Sequence, residues 1–293
     1  MMGLVVSIPT TNRPLVVAST VRDIARQTRL PDLMLVVVAS DTDIDPAALK
    51  DLPFPVRVIP SERGLVLQRN TALQHLGRDD VLLFLDDDFL MAPDYLQTLE
   101  RLLAQNPDVV MVTGTVLEDG IHGPGLDFGH AQRRLAEPSA PADPALEDIY
   151  NCYGCNMAVR ARPLVDHEIR LDERLKLYAW LEDVDFSRQM AAHGRIVKSP
   201  ELRGVHLGTK IGRSKGVPLG YAQVANPLYL LSKGTMSLRR VLTILSRNLI
   251  SNLVKSLKPE PEIDRWGRLK GNLTALADLV RGRMSPERLL EFK

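Results

Sequence analysis

The sequence predicts an α/β protein: a mainly parallel sheet flanked by helices, followed by a C-terminal helical extension. Three observations carry this. Short apolar runs alternate with stretches of helical spacing as far as Val112, the pattern of crossover units. One run, VLLFL at 81–85, is apolar throughout, as a strand covered on both faces requires. Beyond residue 232 the apolar residues recur at helical spacing.

The elements follow in order. Leu4–Ile8 reads as a strand. Pro14 to about Thr28 reads as a helix, with Val17, Val21, Ile24 and Ala25 on one side and proline at its start. Leu33–Val38 is a Val-rich strand, Ala47–Leu52 a short helix at most, and Pro55–Ile59 a third strand. Val66–Leu76 is helical. Val81–Leu85 is a buried strand that runs into three aspartates. Pro93–Gln105 is a helix and Val109–Val112 a strand. Residues 118–148 hold many Gly and Pro and read as one long loop of the lid or binding kind. Order resumes near Tyr150. A helix is expected over Glu182–His193, with Gly194 as its C-cap. Gly204–Gly220 holds five glycines and several basic residues and reads as a second irregular stretch. These signals divide the chain into a domain over 1–232 and a helical extension over 233–293.

The composition excludes several classes. With 293 residues, 45% hydrophobic and 25% charged, the chain is neither collagenous, disordered nor a disulfide-stapled miniprotein. Net charge is +1, so no global basic signal for nucleic acid exists. Charge is nevertheless uneven: residues 233–293 hold 13 Lys+Arg against 6 Asp+Glu, leaving an acidic body. Ser237–Lys258 places Leu238, Val241, Leu242, Leu245, Leu249, Leu253 and Leu257 on one side and Arg239, Arg240, Arg247, Lys255 and Lys258 elsewhere. Such a basic amphipathic helix suits an anionic membrane surface. The same stripe suits packing on the body or on another subunit. No apolar run reaches the roughly 18–20 residues of a membrane span. MMGLVVSIPTTNRP has no basic leader and turns polar at Ser7. With only two cysteines, the expected place is the cytoplasm, peripheral on the inner face of the plasma membrane. Cys152 and Cys155 form a single CxxC, too few ligands for zinc, and are expected to pack near an acceptor pocket.

Chemistry concentrates in two acidic groups. Asp86, Asp87 and Asp88 follow directly on a buried strand, at the end where parallel-sheet proteins bind ligands. Adjacent carboxylates repel, and a hard divalent cation such as Mg2+ or Mn2+ relieves that while binding phosphate oxygens. Glu182 and Asp183 open a helix beside Tyr178 and Trp180, an aromatic setting suited to sugar rings. One group holding a cation and diphosphate while the other takes a proton fits transfer from an activated phosphate ester to a hydroxyl.

Seven segments in order, SIPTTNRP, VVVASDTD, GLVLQRN, VLLFLDDDF, GCNMAVR, LEDVDF and VHLG, give the chain a resemblance over about residues 4–215. It resembles a family 2 glycosyltransferase with the GT-A fold, of the bacterial polysaccharide type. The resemblance implies that Pro9, Thr10, Asn12 and Arg13 hold the nucleotide. The family's Asp after the second strand is replaced by Val38 or Ala39, so Asp41 or Asp43 stands in against the base. Arg69 and Asn70 match an Arg-Asn pair near the nucleotide. Asp86 and Asp88 match the DxD motif, with Asp88 on the metal and Asp86 or Asp87 nearer the ribose. Asp183, with Glu182, matches the general base motif. His206 matches a residue that joins the metal or the diphosphate. Arg213, with Lys210 and Lys215, lies on a loop expected to fold over the diphosphate.

The resemblance thus implies a metal-dependent, inverting glycosyltransferase using a nucleotide-diphosphate sugar and a saccharide or lipid-linked acceptor. The rivals are a non-catalytic sugar-nucleotide-binding protein and a sugar nucleotidyltransferase. The latter opens with a Gly-rich loop, where this chain has PTTNRP.

Overall fold

The computed structural model describes residues 2–121, 123–137, 143–210, 216–258, 260–261 and 263–292. The chain divides into two compact units. The first comprises 1–63, 67–170 and 190–212, and the second 64–66, 171–189 and 213–293.

The first unit is built on a sheet. Its elements begin with β1 (Leu4–Thr10), α1 (Pro14–Ile24), β2 (Leu33–Val38), β3 (Val56–Pro60), α2 (Leu65–Leu73, whose first residues group with the second unit) and β4 (Val81–Leu85). They continue with β5 (Phe89–Met91), α3 (Tyr95–Gln105), β6 (Val109–Asp119), α4 (Phe128–Ala136), β7 (Glu147–Asp148), β8 (Asn156–Arg160) and α5 (Ala161–Asp166). Between the last of these and the closing strand comes α6 (Glu182–Met190), and β9 (Arg195–His206) completes the sheet.

Strand order is β3-β2-β1-β4-β8-β6-β9-β5, with β7 also on β9. β3, β2, β1 and β4 pair in parallel, and β6 pairs in parallel with β9. β8 is antiparallel to both β4 and β6, which leaves those two running the same way. β5 and β7 oppose β9. Six strands therefore share one direction in a mixed sheet, whose β3-β2-β1-β4 part is the parallel sheet that the apolar runs predict.

Burial explains the elements. β1 and β4 are buried at every residue, and the uninterrupted apolar run of β4 is a consequence of cover on both faces, while β1 buries Ser7 and Thr10 among its apolar residues. α1 turns Val17, Val21 and Ile24 inward, and α3 does so with Leu96, Leu99, Leu102 and Leu103. These side chains meet those of β1, β2 and β4 in the main core.

The structure corrects several boundaries. α1 stops at Ile24 and α6 at Met190, both before the expected ends. The stretch at 47–52 is a 3-10 turn over Pro46–Leu49. The long loop over 118–148 contains α4, capped by Asp127, whose Oδ1 accepts from the His130 amide at 2.8 Å. Ala131 and Leu135 of α4 pack on Leu90, Val205 and Leu207. The irregular stretch over 204–220 begins inside β9 and ends inside the next helix, so only 207–210 is irregular among its described residues.

The second unit is helical: α6 up to residue 189, then α7 (Gly216–Lys233), α8 (Leu238–Ser256) and α9 (Arg265–Val280). α7 and α9 approach backbone to backbone. A Cβ on Gly220 would strike the Arg268 backbone, and one on Gly271 would strike Val217 O and the Tyr221 amide. A buried polar network ties the three helices. Asn252 Nδ2 donates to Gln223 Oε1 and Asn272 Oδ1, both at 2.8 Å, and Asn272 Nδ2 donates to Gly220 O at 2.7 Å. Among the described residues no helix is long and apolar enough to cross a membrane.

Candidate active site

β4 delivers Asp86, Asp87 and Asp88 to the carboxyl end of the sheet. The turn is fixed by its backbone: the Asp86 amide donates to Cys155 O and the Phe89 amide to Asp86 O, each at 3.1 Å. β5 then pairs with β9 so that Phe89 stands opposite His206. This register brings the imidazole to the triplet across more than a hundred residues of sequence.

The three aspartates part company. Asp86 and Asp88 each offer an oxygen to a group shared with His206, whose ligand atoms all lie within 4.8 Å of one another. His206 Nε2 is 3.3 Å from Asp88 Oδ1 and 3.9 Å from Asp86 Oδ2. Asp87 belongs to a different set. Its Oδ2 accepts from Thr10 Oγ1 and its Oδ1 from the Arg13 guanidinium, both at 2.8 Å. Thr20 Oγ1 donates to its backbone oxygen at 2.6 Å. Asp87 thus holds the loop after β1.

Electrostatics follow from these contacts. Burial pushes the Asp87 carboxyl up, against the Arg13 charge, to about 6. Burial also acts upward on Asp88, but His206, Arg13 and the Thr209 amide outweigh it and hold the group down at about 2. The Thr209 amide reaches Asp88 Oδ2 at 2.7 Å. His206 is buried, which alone would lower its pKa, yet Asp119, Asp88 and Asp86 raise it to about 10.

Asp119 belongs to no motif of the sequence. It ends β6 and pairs with His206 in the parallel ladder. Its Oδ1 lies 2.9 Å from His206 Nδ1, and its Oδ2 accepts from Tyr153 Oη at 2.9 Å. A proton on Nδ1 directed at Asp119 leaves Nε2 to face Asp86 and Asp88, the arrangement in which a carboxylate orients a metal-ligating histidine. Two carboxylates and one imidazole, buried or half-buried, fit a divalent cation of the Mg2+ or Mn2+ kind.

The other predicted residues fall as follows. Pro9 and Thr10 are buried at the end of β1. Gln68 Nε2 fastens that end by donating to Thr10 O and Val37 O, both at 2.8 Å. Asn12 sits at φ 57°, with its amide on Asp43 Oδ1 at 2.7 Å. Asp43 is buried, and its Oδ2 accepts from the Ala39 and Ser40 amides, each at 2.9 Å. Its carboxylate therefore clips the β1 and β2 loops together, while Asp41 is exposed. Arg69 is 1% exposed; it reaches Asp86 Oδ1 at 3.2 Å and Gly154 O at 2.7 Å, with its guanidinium over the Phe84 ring. Asn70 is buried on α2. Lys210 Nζ donates to Gly120 O and Ile121 O, both at 3.1 Å. Gly208, at φ 64°, lets the chain pass hard against Gly120. Arg213 and Lys215 lie outside the described residues. Cys152 and Cys155 are both buried free cysteines.

Glu182 and Asp183 open α6 in the second unit. The preceding segment is strained: Leu177, Ala179 and Leu181 have φ of 58°, 51° and 73°. Asn226 Nδ2 donates to Trp180 O at 2.7 Å, and the Leu65 amide to Leu177 O at 3.0 Å, which hold this path. One turn into the helix, buried Asp185 binds Lys233 Nζ and Thr235 Oγ1, both at 2.7 Å. The start of α6 is thus anchored to the end of α7.

Comparison with known proteins agrees with this fold. The model for "Glycosyl transferase family 2" matches residues 5–165, more than half of the chain. A glucosyl-dolichyl phosphate glucuronosyltransferase of Haloferax volcanii is 27% identical over 154 residues, 49% of this chain and 47% of that protein. The crystal structure of S. aureus TarS has a TM-score of 0.55 at 16% identity, covering 97% of this chain and 50% of that one. The chain thus spans about half the length of these two relatives. The mannosyltransferase PcManGT from Pyrobaculum calidifontis, in complex with GDP-Man and Mn2+, has a TM-score of 0.56 at 17% identity, covering 98% of this chain and 84% of that one. The shared fold is GT-A.

Proposed function

The chain belongs to glycosyltransferase family 2, and on that premise we propose that it moves a sugar, with inversion, from a nucleotide-diphosphate sugar to an acceptor hydroxyl. The observation that carries the reading is the group formed by Asp86, Asp88 and His206. These residues would hold a Mg2+ or Mn2+ ion, which when bound supplies positive charge to the departing diphosphate. Thr10, Arg13 and Asp87 form a preset edge for the nucleotide, and Arg69 keeps Asp86 oriented. Asp183 takes the proton of the acceptor hydroxyl as the glycosidic bond forms, with Glu182 beside it. An oxocarbenium-like transition state needs both events together. That the Haloferax relative is named for transfer onto a dolichyl phosphate sugar supports a saccharide or lipid-linked acceptor. We place the reaction in bacterial surface polysaccharide or glycolipid synthesis, at the cytoplasmic face of the plasma membrane.

Donor hydrolysis across UDP-, GDP- and dTDP-sugars, with Mg2+ and with Mn2+, tests the proposal. Turnover of one donor class that vanishes on chelation supports it. Donor binding without turnover under every condition, with acceptors supplied, would mark the chain as a binding protein instead.

A further inference from the structure

The stripe on α8 is two faces in the folded chain. Val241 is fully buried, and Leu245 and Leu249 pack on the core around Tyr221, Val224 and Leu289. Leu242, Ile250, Leu253 and Leu257 lie on the adjoining arc, 57% to 83% exposed. α9 repeats the pattern. Asn272 and Ala275 face inward, while Trp266, Leu273 and Val280, seven residues apart, are 57% to 88% exposed. An open hollow of about 410 Å³ runs along that outer face, lined by Trp266, Leu269, Leu273 and Ala277 with Lys270 and Arg281. Of the 16 exposed large hydrophobic residues among those described, 11 lie beyond Ser237. Scattered exposed leucines need no explanation, but this concentration marks a contact surface.

Charge identifies the occupant. Arg239, Arg247, Lys258, Lys270 and Arg281 make no ion pair among the described residues. Most described acids nearby are taken: Glu260 by Lys255 and Arg265, Asp278 by Arg283 and Arg288, Glu287 by Arg174 and Glu291 by Arg288, while Asp264 caps α9 through the Gly267 amide. Each outer face, that of α8 and that of α9, is therefore apolar and cationic at once. A second copy of the same surface would set like charges against each other. An anionic leaflet matches both properties, with an apolar boundary for the leucines and acidic headgroups for the bases.

We propose that the outer faces of α8 and α9 dock on the surface of an anionic lipid bilayer without crossing it. This deepens the proposed function, which sets the acceptor at a membrane, and rests on it for its biological purpose only.

The full chain is tested by flotation with vesicles of phosphatidylcholine containing about one third phosphatidylglycerol, and with pure phosphatidylcholine. The wild type should float with the first and much less with the second, and salt should weaken binding. Each basic residue at an anionic surface contributes roughly fivefold in partitioning, so Arg239→Glu with Arg247→Glu should cut binding at least tenfold. Leu242→Ser with Ile250→Ser and Leu253→Ser should cut it as far. Both variants should keep wild-type circular dichroism and wild-type hydrolysis of a soluble donor. Failure of the wild type to float, or wild-type flotation by both variants, overturns the proposal. So does a stable dimer by light scattering that the serine variant dissolves, which would give the surface to a second copy. A chain that floats as expected but neither binds nor hydrolyses any donor would sink the proposed function and leave the docking surface standing.

Discussion

Asp119 Oδ1 lies 2.9 Å from His206 Nδ1, across a parallel ladder that joins residues 87 positions apart. The hydrogen bond sets which ring nitrogen faces Asp86 and Asp88. Asp119→Asn should therefore weaken Mn2+ binding by roughly 10- to 100-fold, the range found for carboxylates behind metal-bound histidines. Tyr153→Phe, which removes one donor to the same carboxylate, should have a smaller effect. Titration followed by the electron paramagnetic resonance of free Mn2+ measures both. Unchanged affinity in Asp119→Asn would show that His206 needs no such support.

Asp87 and Asp88 are neighbours with separate duties. Asp88→Asn should abolish measurable Mn2+ binding. Asp87→Asn should leave Mn2+ affinity near wild type and weaken nucleotide diphosphate binding by about 1–2 kcal/mol, because Arg13 loses its nearest charged partner, at 2.8 Å, and keeps only Asp88 at 3.9 Å. Calorimetric titration with each ligand separates the two.

Protonation of His206 opposes the cation. Because its pKa is raised to about 10, the ring is an imidazolium at neutral pH, and a cation on Nε2 must displace a proton. Apparent Mn2+ affinity should rise with pH, at up to about tenfold per unit, below that value. Without metal the sign for stability is the reverse. A raised pKa stabilises the fold fully below the ordinary value of 6.5, and this is lost as pH rises through about 10. Asp88, held at about 2, stabilises above its ordinary 3.8 and fails only as pH falls through about 2. Metal-free protein should melt lower at pH 9.5 than at pH 6, and Mn2+ should narrow that gap. A melting temperature flat across this range would contradict the assignment.

Asp183→Asn should reduce turnover by several orders of magnitude while donor affinity holds, since the amide cannot accept the acceptor's proton. A rate within a few-fold of wild type would mean that the base lies elsewhere.

Lys233 bridges Asp185 and Asp172, at 2.7 and 2.6 Å. Lys233→Met leaves the buried Asp185 carboxylate with hydroxyl and amide donors but no cation. A loss of roughly 2 kcal/mol is expected from urea denaturation, discounted because Lys233 is about a quarter exposed.

Much of the first unit was legible in the sequence because parallel strands covered on both faces write themselves as unbroken apolar runs, as in Leu33–Val38 and Val81–Leu85. β9 was not, because RIVKSPELRGVH mixes charge with apolar residues along a strand that pairs with β5, β6 and β7 in turn. α4 hid for a related reason: FGHAQRRLA buries only Ala131 and Leu135, too few for a helical stripe to stand out among the surrounding Gly and Pro. At the site, the triplet announced itself by its place after β4. Asp119 did not, since its partner is chosen by strand register. The clipping role of Asp43 is equally silent, because three backbone amides leave no mark on a sequence.

Leu177, Ala179 and Leu181 carry side chains in a backbone region that glycine and asparagine occupy with least strain. Each left-handed residue costs roughly 1–2 kcal/mol, and together they shape the approach to Glu182 and Asp183. Libraries randomised at these three positions should accordingly diverge with the selection applied. Survival of heating should enrich glycine and asparagine, whereas catalytic output should return the native aliphatic residues.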